Sequence, residues 1–376
     1  MRKRYLCVGL LGLMFWIAGC DRAPLLVGFS GTLTGLYSDL GIHGRNGARM
    51  AVEDINAAGG LYGRKLELVV VDDTGRPQGA AEAARRLAAQ GVLAVIGHMT
   101  SSMTMAALPV MEELGVPLIS PTTSTPLLSG RKDLFFRVQP ASNVAGRFLA
   151  HWITGKPGLR SVCTVRDMSN DAFSEPWESA FVEEYERLGG RVSCRFTYTT
   201  LEPSFLTTMI NHLNATGPDV VLFVSSARDT ARMVQSLHEA EVPSLLISSN
   251  WAQTDALLAD LGALSMRILF AADNPTMDSS AALREFSWRY RKRFGMEPSF
   301  AAARAYEAVR FLATAWKEAE ERGERLVEAL SRPRTLEGLF GSMQIDAFGD
   351  ASGAYFMVGV KNGRFTVLEW LAGDVT

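Results

Sequence analysis

Short apolar runs alternate with amphipathic helical runs through the first 120 residues, and that alternation leaves few folds open. Leu25–Phe29, Leu66–Val71, Leu93–Ile96 and Val116–Ile119 read as strands. Between the first two, Ala48, Ala51, Val52 and Ile55 recur at i, i+3, i+4 and i+7 within 43–57, and Gly59-Gly60 closes that helix. Residues 78–90 and 104–114 supply further helices. A strand–helix alternation of this kind folds as a parallel sheet with helices on both faces. The pattern restarts after residue 142, with helices over 142–154, 177–189, 204–216 and 229–241 and strands over 161–165, 191–196, 220–224 and 245–248. Two α/β halves predict two domains, and 376 residues suffice for two cores. Residues 279–331 are strongly helical and 343–370 resemble short strands, so the chain crosses between domains more than once.

Residues 94 to 126 hold the candidate chemistry. The strand Leu93–Ile96 runs into Gly97-His98-Met99-Thr100-Ser101-Ser102, and a helix begins near Ser101 or Ser102. The strand Val116–Ile119 runs into a second hydroxyl-rich turn, Ser120–Thr125. Adjacent parallel strands end at one sheet edge, and ligands of open α/β sheets sit outside those carboxyl ends. Both hydroxyl sets should therefore face one crevice, beside the positive end of a new helix. That chemistry suits a small carboxylate. Each loop alone fits a helix cap or turn equally well; two on consecutive strands favour a site.

The amino terminus reads as a targeting segment. Arg2, Lys3 and Arg4 precede the apolar run Tyr5–Ile17, which is short for a membrane span. Ile17-Ala18-Gly19-Cys20 resembles a bacterial lipobox, which implies removal of residues 1–19 and lipidation of Cys20 on a short tether, 20–23. Losing three cations leaves 35 against 40 acids, a net −5. No basic excess points to nucleic acid. Cys163 and Cys194 remain, in a compartment that permits disulfides. Each lies in a strand-like run. The two could be lateral neighbours and bridge, but bridges between adjacent parallel strands fit disulfide geometry poorly, so the favoured expectation is two buried thiols.

Common catalytic signatures are missing. Gly28-Phe-Ser-Gly-Thr32 fails as a nucleophile elbow at its fifth position, Gly155-Lys156 runs into Pro157, and neither Cys-x-x-Cys nor His-Glu-x-x-His occurs. His98 has no acid beside it in sequence and reads as a turn residue. Asp72-Asp73 and Glu53-Asp54 read as solvated pairs. No enzyme, metal or cofactor is implied.

The chain resembles the periplasmic leucine/isoleucine/valine-binding proteins. The resemblance rests on Gly28-Phe-Ser-Gly-Thr-Leu-Thr-Gly35, Ala51-Val-Glu-Asp-Ile-Asn-Ala-Ala-Gly-Gly60, Val71-Asp-Asp73, Val95-Ile-Gly-His98 with Ser101-Ser102, Ile119-Ser-Pro-Thr-Thr-Ser-Thr-Pro126 and Pro298-Ser299. It implies an α/β fold of two doubly wound parallel-sheet lobes joined by a three-segment hinge, the type I periplasmic binding protein fold. Lobe 1 would be 24–141 plus 274–354, and lobe 2 would be 142–273 plus 355–376. The implied protein is a monomeric, lipid-anchored receptor on the periplasmic or cell-surface side of the cytoplasmic membrane. It would deliver its ligand to ABC permease subunits; the alternative is a sensor that signals to a membrane receptor.

The same resemblance implies a site. Ser101, with Ser102 beside it, and Ser124 match hydroxyls that hold an α-carboxylate. Thr122 and Thr123 match positions whose backbone meets the α-amino group and the ligand. Leu40, Phe173 and Ser226 stand where tyrosines are expected. Asn250 stands where an acid receives the ammonium, and Trp251 either stacks on the ligand or packs. Asn accepts a hydrogen bond but cannot neutralise a buried cation. The expected ligand is therefore a small carboxylate or amide-bearing compound without a free α-ammonium, apolar or aromatic at its far end. The alternative is a neutral amino acid whose amine reaches Asp167, Asp171 or Asp229.

Overall fold

The computed structural model describes residues 23–35 and 38–371; the signal segment, Cys20 and most of the tether lie outside them. The first lobe carries β1 (Leu25–Gly31), α1 (Asp39–Ala57), β2 (Leu66–Asp72), α2 (Pro77–Ala89), β3 (Val95–Ile96), α3 (Ser101–Leu114), β4 (Leu118–Ser120) and β5 (Phe135–Arg137). Its five strands are all parallel, in the order β2-β1-β3-β4-β5. The order reverses at β1, whose end faces the ends of β3 and β4 across the sheet edge. That reversal opens a crevice at the strand ends.

The second lobe carries α4 (Ser142–Thr154), β6 (Ser161–Asp167), α5 (Asp171–Arg187), β7 (Arg191–Tyr198), α6 (Pro203–Thr216), β8 (Val220–Val224), α7 (Ala227–Glu239), β9 (Leu245–Ser249), α8 (Asp255–Leu261) and β10 (Ile268–Ala272). Their strands run parallel as β10-β9-β8-β6-β7. The run Val220-Val-Leu-Phe-Val224 is buried throughout, as a central parallel strand covered on both faces requires.

Cys163 and Cys194 form a disulfide, which corrects the expectation of two free thiols. The register of β6 against β7 slips between Val162 and Cys163, so that Cys163 pairs with Cys194 and Ser193 is passed over. The slip leaves their Cα atoms 4.6 Å apart, within bridging distance. A regular ladder would not bring the two side chains together this way.

After β10 the chain returns to the first lobe as α9 (Ala281–Phe294), α10 (Phe300–Arg322), α11 (Leu326–Leu330) and the hairpin β11 (Arg334–Gly338) and β12 (Gly341–Ile345). It then enters the second sheet again as β13 (Tyr355–Lys361) and β14 (Arg364–Leu371), antiparallel additions beside β10. Helix α10 packs along α1. At Gly47 a Cβ would lie 1.9 Å from the Ala302 carbonyl oxygen, so only glycine permits this approach. The three passages between lobes follow β5, β10 and β12. Helix α1 begins at Asp39 rather than residue 43, which puts Leu40 in its first turn.

Candidate functional site

The two hydroxyl-rich loops end β3 and β4 side by side. Gly97, at φ 143°, would place a Cβ 2.2 Å from the Ser30 carbonyl oxygen, so the turn after β3 demands glycine. The loops are tied to each other. Ser120 Oγ donates to the His98 carbonyl at 2.9 Å and accepts from the Thr123 amide at 3.0 Å. Thr122 Oγ1 donates to the Met99 carbonyl at 2.8 Å.

His98 is fully buried, and its Nδ1 meets Asp73 Oδ2 at 2.7 Å. Asp73 also accepts from Thr32 Oγ1 at 2.8 Å and from the Gly75 amide at 3.0 Å. Asp73 is thus buried, not solvated as its place at a strand end suggests. Burial raises its carboxyl, but the His98 contact and the amide and hydroxyl donors outweigh that and set it below the usual range. The acid that His98 lacks in sequence is supplied in space. Both lie off the cavity wall, which makes them a brace for the β3 loop.

A small cavity lies between the lobes, with about 20 Å³ of free space. That is room for roughly one water molecule, so a ligand enters only as the lobes part. Leu40, Ser101, Thr122, Ser124, Phe173 and Asn250 all line it, together with Trp251. Four residues that the sequence did not single out join them: Met99, Thr100, Asn170 and Phe300. Phe173 and Trp251 meet edge to face with centroids 5.7 Å apart, so Trp251 both packs and faces the cavity. Helices α1, α3, α5 and α10 all begin at this wall, through Leu40, Ser101, Phe173 and Phe300. Their positive ends converge where, among the described residues, no charged side chain lines the space.

Asn250 is held from behind. Its Nδ2 donates to Asp273 Oδ1 at 2.5 Å, and Asn274 Nδ2 donates to the same oxygen at 2.8 Å. Arg304 Nε reaches Asn274 Oδ1 at 2.8 Å. Asp273 sits on the passage that follows β10, so the cavity wall is bonded directly to a crossover between lobes. With its amide nitrogen held by Asp273, Asn250 has its oxygen left to offer a ligand, an acceptor without formal charge.

Burial pushes Asp273 up to about 6, against the opposing pull of Arg304, Gln139 and Asn250. An acid raised this way keeps its proton in the folded state while the unfolded chain loses it. Its contribution is intact below the unfolded value near 3.8 and is lost as pH rises through about 6. Asp273→Asn keeps an acceptor for both amides and cannot ionise. The variant should match wild type near pH 4 and gain on it by up to about 3 kcal/mol toward pH 7. Denaturant unfolding across that range checks this; a difference that stays constant with pH would contradict it.

The remaining expected residues lie off the wall. Ser102 joins the lobes: its amide donates to Asn170 Oδ1 at 3.0 Å, and its Oγ accepts from the Ala172 amide at 3.2 Å. Thr123 is buried with its hydroxyl 2.7 Å from Thr104 Oγ1. Ser226 caps α7, accepting from the Asp229 amide at 3.4 Å. Asp167, Asp171 and Asp229 do not line the cavity either. Asp171 pairs with Arg166, Asp229 accepts from Tyr198 at 3.2 Å, and Asp167 accepts from the Ser169 amide at 2.7 Å.

Residues 24–364 match the family model described as periplasmic binding protein. An amino acid binding protein of Pseudomonas aeruginosa is 26% identical over 359 residues, covering 93% of this chain and 90% of that protein. Among solved structures, the leucine-binding protein LivK of Thermotoga maritima superposes with a TM-score of 0.84 at 24% identity, over 93% of this chain and 99% of that one. A solute-binding protein of an ABC transporter from Rhodopseudomonas palustris, in complex with 3,4-dihydroxybenzoic acid, gives 0.83 at 20% identity, over 93% and 97%. The chain belongs to the periplasmic binding protein family, one of solute-binding proteins and not of enzymes, and it has the type I fold.

Proposed function

From that membership, we propose that the protein is a lipid-anchored, extracytoplasmic solute-binding subunit of an ABC importer. Its lobes, 24–141 plus 274–354 and 142–273 plus 355–376, close over a small carboxylate that lacks a free α-ammonium. The observation that carries the ligand class is the wall: four helix N-termini meet around a cavity whose described lining has no charged side chain. An anion is stabilised there by dipoles and hydroxyl donors. A buried ammonium finds no counter-charge. Ser101 and Ser124 hold the carboxylate, with Thr122 and the α3 amides beside them. Leu40, Phe173, Trp251 and Phe300 enclose an apolar or aromatic body. Relatives that bind branched-chain amino acids and one that binds an aromatic acid bracket this chemistry.

Closure follows from walls on both lobes, since a ligand favours only the arrangement in which it touches both. Small-angle scattering should show a smaller radius of gyration with saturating benzoate than without. Identical profiles at confirmed saturation would argue against a closing receptor. Anchoring rests on Cys20: Cys20→Ala should remain unprocessed and unlipidated, read by intact mass and by membrane fractionation. Processing and membrane association unchanged in that variant would remove the anchor from the reading.

A further inference from the structure

A ligand enters only as the lobes part, so any hydrogen bond between them breaks and re-forms in each binding event. Two such bonds join the starts of α3 and α5. The Ser102 amide donates to Asn170 Oδ1 at 3.0 Å, and the Ala172 amide donates to Ser102 Oγ at 3.2 Å. Ser102 and Ala172 are each the second residue of their helix, α3 starting at Ser101 and α5 at Asp171.

A helix start leaves its first four amides without partners inside the helix, and a side-chain oxygen at the cap position ordinarily takes one of them. Neither helix does this for itself. Thr100 and Asn170 stand at the two cap positions and make no side-chain bond to their own helices. Asn170 caps α3 instead, and Ser102 of α3 caps α5. Each helix is thus capped by a side chain of the opposite lobe. A third contact follows the same rule. Thr254, at the cap position of α8, makes no bond to its own helix and donates at 3.0 Å to Asp39 Oδ2, in the first turn of α1.

Parting the lobes removes both caps at once and hands two amides to water; reclosing restores both. Ser102 differs here from its neighbour Ser101, which lines the cavity while Ser102 does not. Its hydroxyl acts on closure and not on the ligand.

We propose that Ser102 and Asn170 form a reciprocal capping clasp that holds the lobes closed and so sets how long a ligand is retained. The clasp rests on the reading of the protein as a closing receptor, but not on the chemistry of its ligand. Contacts made only in the closed form stabilise that form whatever is bound. Release waits on the clasp, so its loss shows in the off-rate rather than the on-rate.

Amide hydrogen exchange resolved to single residues tests this on the whole protein without added ligand. In wild type the amides of Ser102 and Ala172 should exchange at similar rates, both faster than that of Leu222, buried in the central strand β8 and opening only with the whole fold. In Ser102→Ala the Ala172 amide should exchange at least about threefold faster. The amide at position 102 should accelerate with it, although its own partner, Asn170, is untouched. Ser102→Thr keeps the hydroxyl and should restore both rates. By calorimetry, Ser102→Ala should weaken benzoate and benzamide by the same factor. If Ser102→Ala does not fold, Asn170→Ala should accelerate the same two amides. Acceleration confined to Ala172 overturns the clasp, because Ser102 is then a local cap only. Unchanged exchange in a folded Ser102→Ala protein overturns it too, as does a larger loss for benzoate than for benzamide, which would put the hydroxyl on the ligand. Exchange of both wild-type amides at the Leu222 rate would overturn the closing receptor along with the clasp, since those lobes would part only on unfolding.

Discussion

4-Methylpentanoate, 3-phenylpropanoate and benzoate should bind at least about a hundredfold more tightly than leucine or phenylalanine. Leucine and 4-methylpentanoate share a side chain and a carboxylate and differ by one ammonium. In this cavity that ammonium would lie among Leu40, Thr122, Phe173, Asn250 and Trp251. None of these is charged. Asp273 is the acid nearest in chemical sequence, one hydrogen bond behind Asn250, but its Oδ1 already accepts from both Asn250 and Asn274 and its charge faces Arg304. Burying a cation against neutral acceptors costs several kcal/mol, more than the amide oxygen of Asn250 returns. Paired calorimetric titrations, each amino acid against its deaminated analogue, read the difference directly. A micromolar leucine complex would reverse the conclusion. If that complex were then lost in Asp167→Asn or Asp229→Asn, closure would be carrying one of those aspartates to the amine.

The alternation of strands and helices was legible because its periods differ, and both hydroxyl loops were legible because each follows an apolar strand directly. Ser101 and Ser124 therefore appear in sequence as candidates and in the structure on one wall. What stayed hidden depends on distances across the fold. Asn170 and Phe300 belong to helix starts 130 residues apart in the chain, and only tertiary packing brings them to one space. Pro298-Ser299, which precedes α10, stood out only as part of the family resemblance, and nothing local says which way it faces. The pairing of Cys163 with Cys194 hangs on a one-residue slip in the ladder, and strand composition carries no sign of it. Asp73 reads as solvated beside Asp72 and is buried because His98, 25 positions on, reaches it. In each case the residue types were visible and the partner was not.

Ser101→Ala and Ser124→Ala should each weaken benzoate binding about tenfold, and the double variant about a hundredfold. Both serines are nearly fully buried at the cavity, and each removed hydroxyl takes away one donor to a charged acceptor. Such bonds are worth about 1.5–3 kcal/mol, roughly twice a neutral one. The fold should tolerate both changes, since the cap position of α3 is Thr100 rather than Ser101 and the Ser142 amide bonds the Ser124 backbone carbonyl rather than its hydroxyl. Loss of affinity by itself would not show that the hydroxyls meet the carboxylate. Benzamide separates the cases, because it has the same ring and a neutral head. If Ser101 and Ser124 clamp the anion, their loss penalises benzoate more than benzamide and narrows the gap between the two. Equal losses would place these serines against the ring, with the carboxylate turned toward Asn250 and Asn170. Unchanged affinity in both variants would mean the ligand is held elsewhere. The comparison thus reads the orientation of the ligand as well as its charge, using only two substitutions at consecutive strand ends.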